Sequence, residues 1–155
     1  MIPESAGATP FGIFQLGDTF RLAAEASAGN PRMRTSGPTR LLAYHSCELY
    51  LKAYLRERGQ EVEQLRAYGH DLPAMLVAAR GVGLRASSQV EAQLNKVARK
   101  NDYVRVRYMV TEEPSDISSE KVMRLATSVR DCVRNALGYD ELGMPLAVRG
   151  KSSDR

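Results

Sequence analysis

Tryptophan is absent, and only two histidines and two cysteines occur among the 155 residues. His45, His70, Cys47 and Cys132 stand on no spacing that closes a four-ligand zinc site, so neither a structural metal nor a cofactor is expected. At most one disulfide can form. Both cysteines fall in stretches patterned as apolar helix faces, where reduced thiols pack, and this points to the cytoplasm. No window approaches the roughly 20 apolar residues of a spanning helix. Met1-Ile2-Pro3-Glu4-Ser5 is no charged segment leading into an apolar run, so neither secretion nor membrane insertion is expected. A Gly-rich phosphate loop is also lacking. Gly81-Val82-Gly83 ends a helix instead of opening one after a strand, so nothing supports nucleotidyl transfer by this chain alone.

What is present is a hydrophobic fraction of 43%, enough for one domain with a core and too little chain for two. The 22 Lys and Arg against 18 Asp and Glu leave +4, a mild excess that permits an acidic partner without requiring one.

Thr9-Pro10 supplies an N-cap and a first-turn proline for a helix over 10–28. Ile13, Leu16, Phe20 and Ala23 form its buried stripe, with Asp18, Arg21 and Glu25 on the wet side. Gly29-Asn30-Pro31 stops it. A second helix starts near Pro38 and ends at Gly59, apolar on two sides and therefore central. A single turn is expected around Val62 to Leu65. Asp71 then caps a short helix that turns Leu72, Met75, Leu76 and Ala79 inward and ends near Gly81.

Ser88 and Glu91 have capping-box spacing for a helix buried through Val90, Leu94 and Val97, running to Asn101 or slightly beyond. Residues 103–108 read as helix tail and extended linker. The last helix begins between Ser115 and Ser118, buries Val122, Leu125, Val129, Cys132, Val133 and Leu137, and stops at Gly138. The expected fold is all-α, an antiparallel up-and-down bundle of four major helices plus one short one. Its organisation is a flexible 1–9, a bundle over 10–138 and a loosely ordered tail over 139–155, of which Leu142, Met144, Leu146 and Val148 have the alternative of folding onto a second subunit.

Three blocks stand out in order: Cys47-Glu48-Leu49-Tyr50-Leu51-Lys52-Ala53-Tyr54-Leu55, then Gly69-His70-Asp71-Leu72, then Tyr103 with Arg107-Tyr108. Together they resemble the HEPN (higher eukaryotes and prokaryotes nucleotide-binding) family over roughly residues 38–137. The resemblance implies a helical bundle that pairs with a second copy or with a partner such as a minimal nucleotidyltransferase. Relatives include metal-independent RNases of toxin–antitoxin and defence systems, accessory partners and non-catalytic binding modules. The RNase branch carries an Arg, four to six residues, then a His, and Arg40-Leu41-Leu42-Ala43-Tyr44-His45 has that spacing. In active relatives the motif opens a later helix with a polar residue after the Arg, whereas here it lies on the second helix and Leu41 follows.

Chemically, His45 can move the 2′-hydroxyl proton and Arg40 can face the developing phosphate charge. Five residues apart on a helix, however, the two side chains lie about 140° apart in azimuth. The competing assignment makes His45 a half-buried, hydrogen-bonded histidine and Arg40 a solvated first-turn residue. Glu48 and Lys52 stand at i, i+4, as a surface pair or as a buried pair with partners from other helices. His70, just before the cap Asp71, either fixes the loop or faces a cleft beside Glu48.

Residues 85–108 hold six cations, Arg85, Lys96, Arg99, Lys100, Arg105 and Arg107, against Glu91 and Asp102. Tyr103 and Tyr108 interleave with them, able to stack on bases while the cations meet phosphates. The alternative is a solvated basic face with tyrosines at the rim of the core. The leading expectation is a non-catalytic nucleotide- or RNA-binding module acting as a dimer or with a nucleotidyltransferase-like partner. A metal-independent RNase using Arg40 and His45, and a structural interaction domain, are the alternatives.

Overall fold

The computed structural model describes residues 8–108 and 117–146. Seven helices run through them: α1 Pro10–Ala28, α2 Gly37–Glu57, α3 Val62–Ala67, α4 Leu72–Gly81, α5 Ser88–Arg99, α6 Asp102–Arg105 and α7 Ser119–Leu137. Among the described residues the β-structure is one isolated bridge, Tyr139 with Pro145. The all-α bundle therefore stands, with more short helices than the four-plus-one expected.

The helix ends follow local chemistry. Thr9 Oγ1 accepts from Gly12 N at 3.0 Å, and Asp71 Oδ1 accepts from Ala74 N at 3.0 Å, each satisfying an orphan amide. Ser87, one residue before the expected Ser88, caps α5 by accepting from Val90 N at 3.2 Å. Ser118 caps α7, and Gly138 closes it in the left-handed conformation. Asn101, with φ +53°, breaks the expected continuous tail after α5 and redirects the chain into α6. Ser115 and the Glu112-Glu113-Pro114 approach to α7 lie outside the described residues.

Helix α2 is the centre, packed by α1, α3, α4, α6 and α7. Thirteen of its 21 residues are buried, so it is enclosed on more than one side, as its two apolar faces required. The face of α1 corrects the expectation. Phe14, Gly17 and Ala24 are buried, whereas Leu16 is 46% exposed and Ala23 faces solvent, so the helix is rotated by about one residue from the expected stripe. Gly17 decides the rotation: a Cβ there stands 2.9 Å from Tyr50 Cε1 and 3.4 Å from Leu49 Cβ. Only a hydrogen lets α1 and α2 approach so closely. Gly17→Ala is expected to cost about 1–3 kcal/mol through overpacking, read as a lower urea midpoint at unchanged slope.

Rotation also brings Asp18 inward instead of leaving it on the wet side. Asp18 accepts from Arg130 Nε at 2.7 Å and Nη2 at 3.2 Å, and from the Tyr50 hydroxyl, joining α1, α2 and α7. The tail departs from its expectation as well. Tyr139 packs edge-on against Phe11 and Phe14 at 5.7 and 5.1 Å, and Arg130 Nη2 donates to Glu141 O at 3.0 Å. Gly143, at φ +79°, sits where a Cβ is 2.8 Å from Asp18 Oδ2. Residues 139–146 are thus part of the packed unit, which extends past the expected boundary at 138. The flexible start expected for 1–7 and the tail from 147, Val148 included, lie outside the described residues. Among the described residues, no helix is long and apolar enough to cross a membrane.

Candidate functional site

On α2, residues 40, 44, 48 and 52 recur every four positions and therefore share one face, where Arg40, Tyr44, Glu48 and Lys52 form a polar line through an apolar helix. Helix α6 packs beside α2 and supplies Asp102 and Tyr103. Two clusters result.

The first is closed. Arg40, Asp102 and Tyr44 are all buried; Arg40 Nη1 and the Tyr44 hydroxyl donate to the two oxygens of Asp102, and Arg40 Nε donates to Ser36 Oγ at 3.2 Å. Burial, then the bond to Asp102, pushes the Tyr44 hydroxyl far above the usual tyrosine range, so it stays a donor. Every charge here is met by a partner, and Arg40 is committed to Asp102. This corrects both proposed settings of Arg40: it is neither a solvated first-turn residue nor a guanidinium open to phosphate.

The second cluster is centred on Glu48 and reaches solvent. Glu48 is 3% exposed. Its Oε1 accepts from the Tyr103 hydroxyl at 3.2 Å and lies 2.6 Å from His70 Nδ1, while Oε2 lies 3.4 Å from Lys52 Nζ and 3.5 Å from His45 Nδ1. Lys52 also donates to Gly69 O at 3.4 Å, tying the loop before α4 to α2. Arg107 Nη1 stands 2.7 Å from His70 Nε2, with its guanidinium carbon 4.7 Å from the Tyr103 ring centroid. Arg107 Nη2 also lies 3.2 Å from His70 Nδ1, but Glu48 Oε1 at 2.6 Å is the nearer partner there, so Nδ1–H is assigned to Glu48 and Nε2 is left to accept from the guanidinium, which only donates. Arg107 Nε is buried without a hydrogen-bond partner. Among the described residues the guanidinium of Arg107 meets no carboxylate.

His45 turns to this second cluster. Its Nδ1 is 3.1 Å from the Tyr103 hydroxyl and Phe20 packs edge-on at 4.5 Å, so it does not share partners with Arg40. Burial, opposed by Glu48, holds His45 below the usual imidazole value of 6.5. A depressed base is protonated more readily in the unfolded chain; its stabilising contribution is present above pH 6.5 and is lost as pH falls. Stability of the wild type is expected to fall between about pH 7.5 and 5.5 more steeply than that of His45→Gln, by less than one proton in linkage slope. Equal slopes in urea titrations contradict this.

The basic segment is divided by the turn at Asn101. Tyr103, expected as a stacking platform, is 4% exposed and packs against Tyr44 and His70 at 5.4 and 5.2 Å between centroids; it is interior because its hydroxyl serves Glu48. Tyr108 is 79% exposed. Arg99 and Lys100 are exposed at the end of α5, Lys96 and Arg105 are half-buried, and Arg107 folds back onto the Glu48 cluster. A cleft of about 390 Å³ opens beside that cluster, lined by Tyr68, His70, Pro73, Val97, Asn101 and Val104 among others. His70 pairs with Glu48 and lines the cleft, a contact that also fixes the loop before α4 to α2. Asp102 and Tyr44 were missed as site residues, although the four-residue polar spacing on α2 marks Tyr44. Among the described residues no group of three or more His, Cys, Asp and Glu is placed to hold a metal ion. No family model, curated protein or solved structure matches the chain.

Proposed function

We propose that this chain is a HEPN-like, non-catalytic module that binds single-stranded RNA or a nucleotide through phosphate, in the cytoplasm, as a dimer or with a nucleotidyltransferase-like partner. The observation that carries the reading is Arg107. It is held against two residues of the cleft lining, by the imidazole of His70 and the ring of Tyr103, with Glu48 already occupied by Lys52, His70 and Tyr103. A guanidinium so held exchanges these contacts for a phosphate without breaking an ion pair. Arg99 and Lys100, exposed at the end of α5, add two cations in the same stretch of chain. Support for a partner comes from Leu16 and Leu22 on α1 and Leu142 and Leu146 in the tail, all exposed apolar side chains. Three phosphate contacts give a log–log salt slope of about −2 for single-stranded RNA, and a flat response contradicts the proposal.

A second reading is favoured by the 2.6 Å contact of Glu48 with His70. A carboxylate that holds Nδ1–H leaves the lone pair on Nε2, which takes the proton of a 2′-hydroxyl once Arg107 turns from it to the phosphate. The 2′-oxygen then bonds to phosphorus as the bond from phosphorus to the 5′-oxygen breaks, leaving a 2′,3′-cyclic phosphate, and the departing 5′-oxygen takes its proton from water, Arg107 facing the developing charge. His70 and Arg107 here take the roles that the spacing of Arg40 and His45 implied. Incubation with cellular RNA in excess chelator separates the readings. Intact RNA in every lane, with binding retained, supports the module. Cleavage lost in His70→Ala but kept in His45→Ala establishes a ribonuclease centred on His70, and cleavage lost in Arg40→Ala and His45→Ala with His70→Ala active restores the original pair.

A further inference from the structure

The cleft beside His70 is built differently from the charged cluster it adjoins. His70 and Tyr103 line both, so the two are continuous, yet apart from Asp71, whose carboxylate caps α4, and Asn101, the remaining walls are apolar or aromatic: Leu72, Pro73, Val97, Val104 and Tyr68 among them. Val104 is 40% exposed, an apolar side chain presented to the open cleft on a four-residue helix. A volume of about 390 Å³ lies at the small end of ligand pockets and has room for one planar heterocycle with its sugar.

One polar side chain on this wall sits on an unusual backbone. Asn101 is the only non-glycine with positive φ among the described residues, and it is exposed on the cleft lining. Its backbone is fixed on both sides, Asn101 N donating to Ala98 O at 3.0 Å and Asn101 O accepting from Arg105 N at 2.9 Å. The carboxamide is therefore carried on a held position, offering a donor and an acceptor side by side, the pattern that pairs with the edge of an adenine.

We infer that this cleft is a subsite for one unpaired nucleobase of RNA, stacked against the Tyr68 and Val104 walls and read at its edge by Asn101. The inference rests on the phosphate-binding reading above, in which Arg107, packed on the cleft-lining His70 and Tyr103, meets the phosphate of the same nucleotide. An unpaired base is required because a duplex keeps its bases stacked inside.

The test is fluorescence anisotropy at fixed salt with a labelled pentamer of adenosines, the same strand with an abasic centre, a pentamer of uridines, and adenosine monophosphate as competitor. The expected result is about tenfold weaker binding of the abasic strand and a preference for adenosine over uridine. Asn101→Gly, which accepts the left-handed backbone, is expected to keep the melting temperature, bind the abasic strand like wild type and lose the preference for adenosine. Equal binding of intact and abasic strands, with the salt slope retained, overturns the subsite and leaves the phosphate reading standing. Absence of binding to every strand overturns both. Competition by adenosine monophosphate at the affinity of the pentamer overturns the assignment to RNA in favour of a free nucleotide.

Discussion

Asp102→Ala is expected to lower the unfolding free energy by about 3–5 kcal/mol, the largest effect of any single substitution considered for this molecule. The carboxylate is buried and both of its oxygens are in use, one for the Arg40 guanidinium and one for the Tyr44 hydroxyl. Removing it strands a cation and a hydroxyl in the interior, and neither regains water. Urea unfolding followed by circular dichroism reads the loss directly. The triple change Arg40→Met, Asp102→Leu and Tyr44→Phe is expected to recover most of it, because an apolar cluster of similar shape has neither a desolvated charge nor an unpaired hydroxyl to compensate. A loss below about 1 kcal/mol in Asp102→Ala contradicts the buried geometry, since exposed pairs contribute that little.

The second large effect concerns binding. Arg107→Ala is expected to weaken binding of single-stranded RNA about tenfold or more at low salt and to reduce the salt slope by about 0.7, the signature of one lost phosphate contact. Folding is expected to change little, because the partners left behind are an imidazole nitrogen still near solvent and a ring face, and a cation over a ring contributes about 0.5–1 kcal/mol at exposed sites. Arg40→Ala is the contrasting variant: it unsettles the fold through Asp102 and leaves the phosphate slope of the folded fraction as it was.

Much of this fold was readable from sequence because its signals are local. Asp71 capping a helix that buries Leu72, Met75, Leu76 and Ala79, and Val122, Leu125, Val129 and Val133 on one face of α7, require nothing beyond spacing and caps. Helix α1 was misoriented for a physical reason. Ile13, Phe14, Leu16, Phe20, Leu22, Ala23 and Ala24 make it apolar almost all round, so periodicity does not choose a face. The choice is made by the fit of Gly17 against Tyr50 and by Asp18 meeting Arg130, 112 residues away. No local pattern holds that information.

The candidate site divides in the same way. Glu48, Lys52 and His70 were visible as polar residues placed where a core or a cleft had to be, and they do meet. Arg40 with His45 matched a spacing, but the helix turns them to different partners: Asp102 for one and Tyr103 for the other. Tyr103 looked like a stacking residue among cations because sequence does not reveal that Asn101 turns the chain and delivers its hydroxyl to a buried carboxylate. Arg107 is central for a reason of geometry alone, being the cation of that segment that lands on His70, a residue of the cleft lining.

The most direct test of the central claim is a salt series of equilibrium titrations of labelled single-stranded RNA, wild type beside Arg107→Ala. The account predicts a wild-type log–log slope of about −2, reduced by about 0.7 in the variant together with weaker affinity at every salt concentration. Identical slopes and affinities for the two proteins contradict it, because phosphate is then bound elsewhere or not at all.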